Sequence, residues 1–261
     1  MQKQRFYYLL EIQYLGYRLH GWQVQPGLKT VEGLVKKTLK FVLEDRRFKI
    51  LGSSRTDAMV SAHEAAFELF IDHEPLENMA DFLVLFNKNL PPDIRALSIK
   101  EVDEKFNIIQ HPKQKEYLYL FSYGKKSHPF AAPLLATFLE PLDIELMMAA
   151  AKIFEGKHSF HNFCTKPSAH TILEREIETC EISINKEITA SFCPDKTYVL
   201  KVRAAGFLRN QIRLMMGSLV LVGRGELSLE ELEKSLSPEV SMLMNYIAPG
   251  SGLILNKIDF S

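Results

Sequence analysis

Phe6–Tyr14 is a run of aromatic and aliphatic residues broken only by Glu11 and Gln13, the pattern of a largely buried strand. A loop with Gly16, Gly21, Pro26 and Gly27 follows. Thr30 then stands as an N-cap before Val31, Leu34, Val35, Thr38, Leu39 and Val42, whose three- and four-residue spacing predicts an amphipathic helix. Phe48–Leu51 and Ala65–Ile71 predict short strands, Leu76–Asn89 regains helical period, and Ile94–Val102 alternates. Strand, helix, strand, strand, helix, strand is the order of a ferredoxin-like unit.

The second half repeats this order less cleanly. Tyr117–Tyr123 alternates as a strand, and Leu142–Phe154 predicts a helix closed by Gly156. Cys180–Ile188 and Tyr198–Ala204 predict paired strands, Leu208–Val222 a helix, and Leu253–Phe260 a last strand. No Pro-, Gly- or Ser-rich linker divides the halves. The expectation is an α+β protein of two ferredoxin-like (RRM-like) lobes, residues 1–107 and 108–261, sharing a mostly antiparallel mixed sheet with a cleft between them.

Composition changes this picture little. The chain has 261 residues, 46% hydrophobic and 25% charged, which is ordinary for a globular protein. Cys164, Cys180 and Cys193 are too few and too scattered for a disulfide framework. The first residues lack the apolar stretch of a signal peptide, and Tyr198–Gly225 is interrupted by too many cations to span a membrane. A cytoplasmic protein is expected.

Charge is more informative in its distribution than in its total, which is zero from 32 basic and 32 acidic residues. Met1–Arg55 holds 11 Lys or Arg against 4 Asp or Glu, and Tyr198–Gly225 holds Lys201, Arg203, Arg209, Arg213 and Arg224 with no acid. Such segregation suggests one basic face and an anionic partner. Lys36, Lys37, Lys40, Arg46 and Arg47 fit either phosphate contacts or a solvated helix face.

The sharpest chemical feature is Gly52-Ser53-Ser54-Arg55-Thr56-Asp57-Ala58, small residues around an Arg and an Asp between two apolar strands. Alone, this reads first as a solvated turn, and second as a loop presenting a carboxylate. His158-x-x-His161 is the one pair with metal-ligand spacing. It has no third ligand nearby, so packing or contact with the anionic partner is the simpler reading and no metal is expected. Trp22, the single tryptophan, fits a core position or an aromatic platform.

The Arg-Thr-Asp stretch resembles the Gly-Arg-Thr-Asp-Ala-Gly-Val-His motif of the TruA pseudouridine synthases. So does Tyr14-x-Gly16-x-x-x-His20-Gly21-Trp22-Gln23-x-Gln25-Pro26 with Thr30-Val31-Glu32 after it. Lys115-Glu116-Tyr117-Leu118-Tyr119 is similar to the family's basic-x-Tyr-x-Tyr strand, and Gly156-x-His158-x-Phe160 to its Gly-x-His-x-Phe segment. Phe207-Leu208 with Arg213, then Gly217–Gly225, resembles its Arg-bearing helix.

The resemblance implies the pseudouridine synthase fold and an RNA isomerase. Its substrate would be tRNA, in the anticodon stem-loop, and it would need no cofactor. A homodimer is also implied. In the reaction the N1–C1′ bond of uridine breaks, the uracil turns, and C5 bonds to C1′. Asp57 would be the carboxylate acting on the ribosyl side. Tyr117 would stack on the uracil and accept the C5 proton, and Arg213 would pair with Asp57. Arg55 would fill the space left by the flipped base. Thr56, Trp22, Gln23 and Leu253 would complete the substrate contacts.

The sequence departs from the family pattern at several places. Met59 stands where the motif has Gly, and Ser61 where it has His. Phe106-Asn107-Ile108-Ile109 replaces Phe-His-Ala-Arg, and Asn210-Gln211 replaces a His-rich pair. A rearranged loop after Asp57 and an altered substrate range are expected from these changes. The competing expectations are a non-catalytic RNA-binding protein on the same scaffold and a synthase with a different RNA target.

Overall fold

The computed structural model describes residues 4–242 and 244–260. The chain forms two compact units. One is built from the chain up to Lys113 together with the stretch from Leu255 on, and the other from Gln114–Ile254.

In the first unit, β1 (Arg5–Tyr14) lies between β4 (Ile94–Glu101) and β3 (Ser61–Asp72), and β2 (Phe48–Gly52) lines the other side of β3. Every one of these pairings is antiparallel. Helices α1 (Val31–Val42) and α2 (Met79–Asn89) pack on each other, and α2 also packs on β4. Strand, helix, strand, strand, helix, strand is therefore the observed order, as the periodicity predicts. Period-two alternation puts Tyr8, Leu10, Ile12, Leu69 and Ile71 on one face, all buried. On the opposite face, Leu9 and Ala66 are covered by Ile108, with Phe106 and Phe260 beside them.

The α1 start falls where expected: Thr30 Oγ1 accepts from Gly33 N–H at 3.3 Å. The second helix begins later than its apolar pattern. Asn78 Oδ1 accepts from the Ala80 and Asp81 N–H groups, so Leu76 and Glu77 stay outside it.

In the second unit, β5 (Gln114–Tyr123), β9 (Tyr198–Ala204), β8 (Glu174–Ile184) and β7 (Gly156–Ser159) follow one another as antiparallel neighbours. A short β6 (Ala136–Phe138) runs parallel to β5. Helix α3 (Ile144–Ile153) packs on α4 (Gln211–Gly223), on β8 and on α5 (Leu229–Lys234). The last strand, β10 (Leu253–Asp259), begins in this unit and ends in the first.

Several sequence-based boundaries need correction here. The strand expected over Cys180–Ile188 runs instead from Glu174 to Ile184, because Asn185 breaks it. The Asn185 Oδ1 accepts from Glu187 and Ile188 N–H, and its amide donates to Ile188 O, closing a turn. Gly156 does not close α3 but opens β7. Asp143 caps the start of α3 through Leu146 N–H at 2.9 Å, leaving Leu142 outside. The helix expected from Leu208 starts only at Gln211, since Asn210 is left-handed at φ 60°. The strands β6 and β7 and helix α5 have no counterpart in the sequence reading.

Candidate active site

In the first unit the Arg55-Thr56-Asp57 segment joins β2 to β3, held by three layers of backbone contact. The innermost is a turn in which Asp57 O accepts from Val60 N–H at 3.2 Å, while Met59 N–H donates to Leu19 O at 3.0 Å. Next, Trp22 N–H donates to Thr56 O at 3.0 Å. The Gly21 and Trp22 carbonyls in turn accept from Val31 and Glu32 N–H, two of the otherwise unpaired donors at the start of α1. The Asp57 loop is thereby tied to a helix end through two residues.

Close approach explains the glycines. A Cβ on Gly16 would lie 2.0 Å from Val60 O, and one on Gly21, at φ +85°, would lie 2.6 Å from Thr56 O. The side chains reinforce the backbone. Tyr14 and Thr56 share a hydroxyl hydrogen bond of 2.8 Å, and Ser61 Oγ accepts from Gly16 N–H at 2.9 Å. Ser61, at the position where the family motif has His, thus fixes the loop from below.

Met59 also has a structural answer. Its φ is +67°, a conformation that suits glycine, at the third position of the Asp57–Val60 turn. Methionine here takes a left-handed geometry that glycine adopts without strain, at a conformational cost.

Thr56 is buried and Asp57 half-buried, while Arg55 and Gln23 are exposed. Trp22 is only 3% exposed. Its indole lies against Gly52, with Tyr14 and Phe67 ring centroids at 6.4 and 6.5 Å. Of its two sequence readings, the core position is the one observed, so it holds the Thr56 loop rather than offering a face to a base.

In the second unit Tyr117 lies on β5, buried, with the Phe207 ring edge-on at 5.3 Å. Two residues before it on the same strand face is Lys115, whose ammonium burial pushes down to about 8. Arg213 projects from the first turn of α4. Its Nε donates to Ala248 O at 2.7 Å and its Nη1 to Asn210 Oδ1 at 3.3 Å, while Ala248 N–H donates to Arg213 O. The guanidinium is fixed on two sides before any substrate arrives. Tyr119 OH donates to Pro249 O at 2.8 Å, and burial raises this phenol well above its ordinary range. Leu253 follows this turn and is buried.

The Ala248–Pro249 turn and Asn210 are positioning elements that sequence reading missed. Asn210 departs from the family pattern, yet its amide donates to Thr165 Oγ1 at 2.8 Å while its carbonyl holds Arg213. The unpaired basic stretch is also corrected. Arg203 pairs with Glu116, Lys201 with Glu187, and Arg224 with Glu140. Acids outside the stretch neutralise these three cations.

His158 and His161 are used structurally. His158 Nε2 lies 2.8 Å from Glu155 O, and His161 bridges Ser159 Oγ and Val240 O at 2.9 Å each. Among the described residues no group of three His, Cys, Asp or Glu could hold a metal ion. None of the described helices is long and apolar enough to cross a membrane.

The chain is similar to curated proteins over nearly its whole length. It is 33% identical to tRNA pseudouridine synthase A of Dictyoglomus thermophilum over 253 residues, covering 96% of this chain and 98% of the relative. The chain belongs to the tRNA pseudouridine synthase A family. The Aquifex aeolicus member is likewise 33% identical, over 96% of this chain and 98% of its own length. The Bacteroides thetaiotaomicron member is 30% identical, over 97% and 90%. A family model described as tRNA pseudouridine synthase matches residues 150–261. That stretch holds Arg213 and Leu253, whereas the Asp57 loop is reached by the full-length similarity alone.

Proposed function

We propose that this protein isomerises uridine to pseudouridine in tRNA, within the anticodon stem-loop, with Asp57 as the catalytic carboxylate. The observation that carries the reading is the Asp57 turn, a carboxylate-bearing loop whose backbone is held by Val60, Leu19, Trp22 and the start of α1, in a family member matched over 96% of its length. Asp57 supplies the anion at C1′ when the N1–C1′ bond breaks and its electron pair leaves with the base. The uracil turns, its C5=C6 pair forms the C5–C1′ bond, the C5 proton passes to Tyr117 as its phenolic proton is handed on, and N1, which left with the bonding pair, takes up one proton. One proton lost at C5 and one gained at N1 make the change an isomerisation without a cofactor.

Arg213, already oriented by Ala248 and Asn210, supplies the cation that pairs with the carboxylate. Arg55, exposed beside Asp57, takes the place of the extruded base, which costs a few kcal/mol to unstack. Thr56, Gln23 and Leu253 shape the substrate contacts, Thr56 and Leu253 through the backbone they hold. The same reading makes residues 1–107 and 108–261 the two functional lobes, and a cytoplasmic homodimer the working form.

Tritium release from C5-labelled uridine in bulk tRNA tests this directly. The wild type should release label and Asp57→Asn should not, although both bind tRNA. A folded wild type that binds tRNA but releases nothing would turn the reading to an RNA-binding relative or a different RNA target.

A further inference from the structure

The first unit has a second feature that the reaction does not use. At the Asp72 end of β3 lies an open groove of about 570 Å³. The Asp57 turn adjoins the opposite, Ser61 end of the same strand. Eleven steps of extended chain at ~3.3 Å separate the two ends, on the order of 36 Å.

Five cations line the groove: Arg5, Lys40, Arg46, Arg47 and Lys49. They face three carboxylates, Glu44, Asp45 and Asp72. The chain as a whole carries no net charge, so this local excess is not a reflection of a basic protein. Asp72 accepts from Arg5 Nε at 2.9 Å, and Arg46 is engaged by Pro75 O and Glu74. Lys40, Arg47 and Lys49 are in no ion pair among the described residues.

The cations are also held in place. Pairing of Lys49 with Phe70, and of Phe70 with Tyr7, puts these side chains on one sheet face. The Arg5 and Lys49 head groups stand 6.0 and 5.9 Å from the centre of the Phe70 ring, and Tyr7 meets that ring edge-on at 5.6 Å. An aromatic pair that positions two cations beside three more is suited to a ligand carrying several spaced negative charges.

We propose that this groove binds the phosphodiester backbone of the RNA substrate, away from the reacting uridine. The inference rests on the RNA-modifying function proposed for the Asp57 site and adds a second anchoring point to it. Stacked nucleic acid places one phosphate per ~3.4 Å along a strand, so a chain on the order of ten nucleotides spans the two positions. The groove therefore acts on affinity for structured RNA and not on the isomerisation itself.

The test is tRNA binding across a salt series for the wild type, for Arg47→Gln/Lys49→Gln, and for a control of equal charge change, Lys88→Gln/Lys105→Gln. All four lysine and arginine side chains are exposed, so thermal melts should show every variant folded. Removing one cation that touches a phosphate lowers the steepness of log affinity against log salt by ~0.7–0.9, so the groove pair should bind more weakly with a slope shallower by about 1.4–1.8. The control pair should keep the wild-type slope. An unchanged slope in the groove pair, or an equal change in the control, overturns the groove while leaving the active-site reading intact. Failure of the wild type to bind tRNA would overturn both.

Discussion

Met59 offers a direct test of how the Asp57 turn is built. Its backbone is left-handed, at φ +67°, two residues after the carboxylate. This conformation costs an L-residue about 1–2 kcal/mol and glycine almost nothing. Glycine in turn loses about 0.4–1 kcal/mol through its freer unfolded chain. Comparing Met59→Gly with Met59→Ala isolates these terms, because both variants lack the same half-exposed side chain. The difference should leave the glycine variant about 0.5–1 kcal/mol more stable than the alanine variant. At an ordinary position the order is reversed, with glycine the poorer by about 0.5–1 kcal/mol. Urea unfolding at fixed pH measures it, and the midpoint order alone decides the sign. Thermal midpoints should differ by roughly 1–4 °C for a chain of this size. An alanine variant equal to or more stable than the glycine one would refute the left-handed turn, and with it the explanation for methionine at a glycine position.

The other predictions concern packing and titration. Gly16→Ala would drive a Cβ to 2.0 Å from Val60 O, so the turn must move; a loss of about 1–3 kcal/mol in unfolding free energy and a fall in tritium release are expected. Lys115 has its native value lowered to about 8, against ~10.4 in an unfolded chain. Between these values the unfolded state holds more protons, so stability should rise with pH, and Lys115→Met should flatten that rise in pH-dependent unfolding. Glu68 is buried in the first unit, and desolvation raises its carboxyl above the ordinary value. Stability should then fall as pH rises from the usual carboxylate range through the raised native value, and Glu68→Gln should remove that fall.

Much of the first unit was legible because its signals are local. The α1 cap at Thr30 and the β1 run from Phe6 involve neighbours in sequence, and period alone sets which side chains share a face. The second unit was less legible for a physical reason. Asn185 ends β8 through side-chain bonds to the backbone of Glu187 and Ile188, and Asn210 delays α4 by adopting a left-handed conformation, neither of which hydrophobic period records. Helix α5 is only six residues long, too short for a periodic pattern.

The candidate site divides in the same way. Sequence alone specified the residue types at Asp57, Tyr117 and Arg213, their order along the chain, and the likeness that links them to one chemistry. It left Trp22 open between core and platform, and left five cations of Tyr198–Gly225 without an acid. Folding resolves both. Burial against Gly52, Tyr14 and Phe67 puts Trp22 in the core, and Glu116, Glu187 and Glu140 reach three of the cations from other parts of the chain. Burial and ion pairing depend on which distant segments fold together, and no local pattern carries that information.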